Sequence, residues 1–249
     1  MWATIVNCIA IIIGSLIGIV FSKKITEELS GIISAAAGIV TLVIGFKMSF
    51  ETTNIIYMVL SLIIGGILGT WWDIDGKILA FGRFLAHRFH SQKNAISTPQ
   101  LDSEQRNSSF AYAFLNSSVL FCVGAMAILG SFKAGTEGDY TILYTKSVLD
   151  GFMAIVFSAA MGIGTAFSAI SIFLYQGLLT VTSTFIKPYV TDLMIKELTG
   201  VGGALIVMIG VTLLELRKLK TANYLPSLLI IIVFVLLGPY VSAFASVFI

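Results

Sequence analysis

Eight stretches of this chain are long and apolar enough to cross a lipid bilayer, and nothing else in the sequence constrains the fold as strongly. They cover residues 2–22, 31–47, 54–72, 109–132, 142–165, 167–186, 198–216 and 222–245, where a membrane helix needs about 20 mainly apolar residues. The runs are continuous rather than alternating, which excludes a β-barrel. Composition agrees: 57% of residues are hydrophobic and 11% charged, where soluble domains carry roughly 25% charge. A net charge of +2, with no basic stripe interleaved with aromatics, gives no basis for nucleic-acid binding. Cys8 and Cys122 both sit inside apolar runs, so a disulfide scaffold is excluded as well. The expected fold is an all-α polytopic membrane protein of about eight transmembrane helices.

Lysine and arginine placement sets the expected topology. The loops after spans one, three, five and seven hold Lys23, Lys24, Lys77, Arg83, Arg88, Lys93, Arg106, Arg217, Lys218 and Lys220. The other side holds Lys47, Lys133, Lys146, Lys187 and Lys196. This bias puts the odd loops in the cytoplasm and both termini outside. The first span has no basic residue before it and two lysines after it, so it reads as mature protein rather than a cleavable signal. Trp71 and Trp72 suit a membrane–water interface at the end of span three. The connection between spans five and six is so short that they read either as two full crossings or as a hairpin turning inside the protein.

The chain divides into one membrane domain with four parts: a three-helix unit at 1–72, a cytoplasmic segment at 73–108, two central spans at 109–166 and a second three-helix unit at 167–249. In the cytoplasmic segment Ile74, Ile78, Phe81, Leu85 and Phe89 recur at helical spacing, with Lys77, Arg83, His87, Arg88 and His90 mostly off that stripe. This predicts an amphipathic helix on the inner leaflet, in contact with membrane lipid, followed by a polar tether. The two three-helix units also resemble each other. ISAAAGIVTLVIG at 33–45 aligns with LTGVGGALIVMIG at 198–210, pairing Gly38 with Gly203 and Gly45 with Gly210. Asn54 and Gly69 have counterparts in Asn223 and Gly238. Copies starting on an odd and an even span would be inverted, an arrangement common in secondary transporters. The competing explanation is shared Gly, Ile, Leu and Val composition.

Charges inside a span are costly and mark candidate sites. Asp150 lies about two turns into span five, with Lys146 four residues earlier on the same helical face. The pair reads either as a cation or proton site or as an interfacial salt bridge. Gln176 in span six, Asn7 in span one and Asn116 in span four could bind a solute or bridge helices. Gly162, Gly164, Thr165 and Ser168 surround the shortest connection, where small polar residues could support a broken helix or a tight turn. Asp192, Lys196 and Glu197 read as a solvated loop after Pro188, and Glu215 as a solvated interfacial charge. No His lies in a span, only one Asp does, and there is no HExxH, CxxC or Walker loop. An enzyme, a metal centre and a bound cofactor are therefore not expected.

VNCIAIIIGSLIG near the start, LFCVGAMAILGSFKAGTEGDYTILYTKSVLDG in the middle, and GIGTAFSAISIFLYQG followed by VTDLMIKELTGVGGALIVMIG carry a family likeness. They resemble the bacterial family called domain of unknown function 554, which includes YdfK-like and YqgA-like proteins. The resemblance covers nearly the whole chain and is weakest over 73–108. It implies a multi-pass inner-membrane protein and adds weight to Asn7, Cys122, Lys146, Asp150, Gly151 and Gln176, but it implies no activity. The expected function is a secondary transporter for a small solute or ion. The alternatives are an oligomeric channel, built from several copies of the chain, and a non-transporting scaffold or sensor that reads anionic lipid.

Overall fold

The computed structural model describes residues 1–22, 27–78, 80, 84, 103–186 and 190–248. These are helical throughout, with no strand among the described residues. In chain order the helices are α1 (Trp2–Ser22), α2 (Glu27–Ser49), α3 (Ile55–Trp71), α4 (Ser103–Cys122), α5 (Ala125–Thr136), α6 (Thr141–Met161), α7 (Gly164–Ile186), α8 (Asp192–Leu213) and α9 (Ser227–Phe248). A short 3-10 turn, Thr221–Tyr224, leads into α9. Six segments among the described residues are long and apolar enough to cross a bilayer, and α4 with α5 makes a seventh if the pair counts as one bent span. The apolar α3 has 17 residues, about 25 Å at 1.5 Å per residue.

Glycines set how closely the helices approach, as small residues do inside membranes. A methyl group on Gly14 would overlap the carbonyl oxygen of Gly151, and one on Gly18 that of Ile155, so α1 lies almost backbone to backbone along α6. The antiparallel partner of α2 is α8, where a methyl on Gly45 would sit 2.7 Å from the Val207 nitrogen and one on Gly38 3.2 Å from that of Leu214. Against the 3-10 turn and the start of α9, α3 presents Gly65, Gly66 and Gly69. Behind the cluster described below, α7 runs parallel to α4 and also packs against α5. The central core holds Cys8, Ile11, Ala37, Leu120, Phe121, Ala154, Phe157, Ala169, Ile172 and Ile206.

Several expectations change, and the alternative left open between spans five and six is resolved. The fourth span is not one helix: α4 and α5 meet at 60°. The break falls at Gly124, whose φ of 135° and ψ of 155° belong to a region open essentially only to glycine. The connection after α6 is a tight turn at Gly162, with φ +90°, between two full-length helices, so the re-entrant alternative is excluded. Glu197 is not in a solvated loop: it lies in the first turns of α8 and is 1% exposed. Ile74 and Ile78 pack against protein cores that include Leu115, Val119, Phe110 and Phe114. α4 begins at Ser103, six residues before the expected start of span four, so the end of the expected tether is helical. Most of the amphipathic helix predicted at 74–89, and residues 91–102 of the tether, lie outside the described residues. Trp71 and Trp72 are exposed with their rings stacked 6.5 Å apart, as an interfacial pair would be.

Candidate functional site

Three helices bring four polar side chains together in the apolar interior. Asp150, on α6, is an i+4 neighbour of Lys146, and the ammonium donates to the Oδ2 of Asp150. Asn7 of α1 reaches the same oxygen, its Nδ2 donating at 3.0 Å, and also donates to Gln176 Oε1 on α7 at 3.2 Å. All four are buried, Asn7 and Gln176 completely. Two polar atoms of this cluster, Asn7 Oδ1 and Gln176 Nε2, have no hydrogen-bond partner, although buried polar groups are normally paired. Asp150 lies nine residues into α6, about 13 Å along the helix axis. The local sequence explains the placement. Gly14 and Gly18 let α1 press against α6, and that approach brings the short Asn7 side chain within reach of the carboxylate.

A cavity of about 440 Å³ adjoins this cluster. Lys146 and Asp150 form part of its wall, as do Lys47 and Glu51 at the end of α2, Thr199 of α8, and Val123, Gly124 and Met126 at the α4–α5 break. Lys47 and Glu51 are exposed and Lys146 and Asp150 are buried, so the wall grades from surface charge to an interior ion pair. Phe121 also lines the cavity, and its ring lies 6.3 Å from that of Phe157, which is fully buried. Phe157 is seven residues beyond Asp150, about 10 Å further along α6. A second, apolar cavity of about 600 Å³ lies between α5, α7, α8 and α9 and shares Val123 and Gly124 with the first.

The other sequence candidates do not join this cluster. Asn116 is buried and makes a 3.9 Å contact from Nδ2 to Met161 Sδ. Gly164 abuts Phe110 and Ala113, Ser117 donates to Thr165 at 3.2 Å, and Ser168 donates to the Thr165 carbonyl at 2.6 Å. These residues, with Gly162, join α4 to the α6–α7 turn, twelve residues from Asp150 along α6. No group of three His, Cys, Asp or Glu side chains that could hold a metal occurs among the described residues.

Two buried carboxylates escaped sequence reasoning. Glu197 Oε1 accepts from the Thr53 backbone N–H at 2.8 Å, the Thr53 hydroxyl at 2.6 Å and the Asn54 N–H at 3.0 Å, and Thr52 also donates to this carboxylate. It ties the α2–α3 loop to α8. Beyond α3, Asp75 is 2% exposed. Its backbone N–H donates to Asn223 Oδ1 at 2.8 Å, and Asn223 Nδ2 donates to Thr70. Burial pushes the Asp75 carboxyl above its usual range, against the lowering effect of the Ala222 backbone hydrogen bond and Lys220. The one available signal was Asn223, singled out as the repeat counterpart of Asn54.

Long apolar helices packed through glycine, with a buried polar cluster at their centre, define a multi-pass helical membrane protein. The chain belongs to the family described as protein of unknown function DUF554, whose model matches residues 2–236. It is similar to the uncharacterized membrane protein YdfK of Bacillus subtilis (strain 168), at 33% identity over 95% of this chain and 97% of the relative. It is also similar to the uncharacterized protein YqgA of Escherichia coli (strain K12), at 26% identity over 90% of this chain and 92% of that protein. No solved structure matches.

Proposed function

We propose that this protein is a secondary transporter of the bacterial inner membrane for a small solute or ion, with Lys146 and Asp150 at its binding site. The observation that carries the reading is the 440 Å³ cavity that joins exposed Lys47 and Glu51 to that buried pair. Its volume falls within the range of small-ligand sites. The Phe121–Phe157 contact beyond it supplies an apolar seal. Access on one side and a seal on the other correspond to one half of an alternating-access cycle. The break at Gly124 puts a discontinuous helix in the cavity wall, a common feature of transporter sites near mid-membrane.

The contacts between α2 and α8 support an inverted repeat. The offset that takes Gly38 to Gly203 and Gly45 to Gly210 also takes Leu214 to Ser49 and Val207 to Leu42. Correspondingly, Gly38 faces Leu214 where Gly203 faces Ser49, and Gly45 faces Val207 where Gly210 faces Leu42. Any antiparallel helix pair exchanges its contacts about a local two-fold axis in this way; the repeat reading rests on glycine recurring at the corresponding points, Gly38 with Gly203 and Gly45 with Gly210. The same scheme counts α3 and the α4–α5 pair as crossings, giving eight, with both termini on the side that the lysine and arginine bias makes external. The reading assigns the chain no catalytic chemistry.

The test is ion-driven uptake into proteoliposomes. Asp150→Asn is expected to abolish uptake while the protein stays monodisperse in detergent. Unchanged uptake would remove Asp150 from the mechanism, and discrete unitary currents in planar bilayers would replace the carrier by a channel.

A further inference from the structure

Resting on the transporter reading, and naming its substrate class and coupling ion, we propose that the Lys146–Asp150 pair is a proton-gated anion site. A proton taken by Asp150 releases the Lys146 ammonium to bind a small organic monocarboxylate in the cavity.

Lys146 and Asp150 neutralise each other in a buried site, and an unpaired charge left there would be strongly unfavourable. Any cation that satisfies Asp150 therefore strands the Lys146 charge, and the site regains neutrality only if an anion enters as well. Cation and anion binding are thereby coupled one to one.

The surroundings of Asp150 select a proton over a metal cation. Its hydrogen-bond partners among the described residues are both N–H donors, Lys146 Nζ and Asn7 Nδ2, whereas hard cations require a shell of oxygen ligands. A protonated carboxyl instead becomes a donor, and the buried, unpartnered Asn7 Oδ1 beside it is an acceptor that could receive that hydrogen. In the step itself, hydronium gives its proton to an Asp150 carboxylate oxygen and leaves as water. One O–H bond forms, the ion pair is lost, and Lys146 keeps its charge.

The remaining charges limit the anion. Among the described residues, the other titratable groups around the pair are Lys47 of α2 and Glu51 just beyond it in the cavity wall, Cys8 of α1, Cys122 of α4 and Tyr175 of α7. Lys133 of α5 instead faces Asp139 at 3.9 Å. Lys47 and Glu51 balance, so the protonated site carries a single net positive charge and takes a singly charged anion. A cavity of 440 Å³ with mainly apolar walls, including Ile44, Met48, Leu120, Phe121 and Met153, suits a carboxylate bearing a short organic body better than a bare halide.

The experiment measures proton uptake by the purified full-length protein, in weakly buffered detergent with a pH-indicator dye, on addition of formate, lactate or pyruvate. At least one is expected to bind with about one proton taken up per anion, and its affinity should fall about tenfold per pH unit once Asp150 is ionised. Asp150→Asn should bind the same anion with neither proton uptake nor pH dependence, because Lys146 is then permanently free. Lys146→Gln should lose binding, and Lys146→Arg should retain it. The proposal is overturned if none of the three anions elicits proton uptake, if Asp150→Asn loses anion binding while remaining monodisperse, or if chloride serves equally well. The two readings fail separately. Uptake that depends on Asp150 but is driven by sodium would leave the transporter and remove the proton gate. Proton-linked binding without uptake would leave the gate and remove the transporter.

Discussion

Asn7 donates from one nitrogen to two acceptors on two other helices, so its removal leaves both a carboxylate oxygen and an amide oxygen underbonded in the interior. Asn7→Leu is expected to cost about 1–3 kcal/mol, read as a lower melting temperature in detergent. Asn116→Leu should cost less, since the contact it removes is to a thioether sulfur. At Asp75 the sign of the pH effect follows from burial. A carboxyl whose folded pKa is raised binds its proton more tightly in the folded state, so its favourable contribution is complete at low pH and is lost as pH rises through the raised value. Melting temperatures of wild type and Asp75→Asn, compared across that range, should diverge in favour of the variant as pH increases. The polar cluster was legible because a charge or amide inside an apolar run has few neutral explanations, and Asn7, Lys146, Asp150 and Gln176 all stood out that way. Glu197 was not legible: it sits five residues after a helix start that closely follows Pro188 in the sequence, and its partners at 52–54 are remote in sequence.

Two glycines separate packing from chain flexibility among the helices. Gly14→Ala forces a methyl into the Gly151 backbone and is expected to destabilise by about 1–3 kcal/mol, as overpacking does. Gly31→Ala on α2 meets nothing within 4 Å and should leave the melting temperature unchanged or raise it slightly, because alanine favours a helix. Gly124→Ala removes the residue that tolerates the backbone at the α4–α5 break. The expected outcome is lost uptake with helical content by circular dichroism retained, since the strain falls at one hinge in the cavity wall. The apolar periods found the spans because bilayer thickness fixes helix length, but they could not find this break. FCVGAMAI is uniformly apolar, and the left-handed dihedral at one of many glycines leaves no trace in hydropathy.

Across the whole molecule, parallel α1 and α6, antiparallel α2 and α8, and a cavity beginning at the end of α2 all place the mouth of the site on the side of the N-terminus. The cavity itself depends on which faces meet, and helix contacts between distant spans are set by glycine fit rather than by any local pattern. Met153 lines the cavity and reports its access. With Cys8 and Cys122 replaced by serine, Met153→Cys can be exposed to a membrane-impermeant maleimide in right-side-out and inside-out vesicles. Modification from the outer face alone is the result expected of a carrier open toward its N-terminal side. Modification from both faces at once, or from the cytoplasmic face alone, would contradict the one-sided site on which the transport mechanism depends.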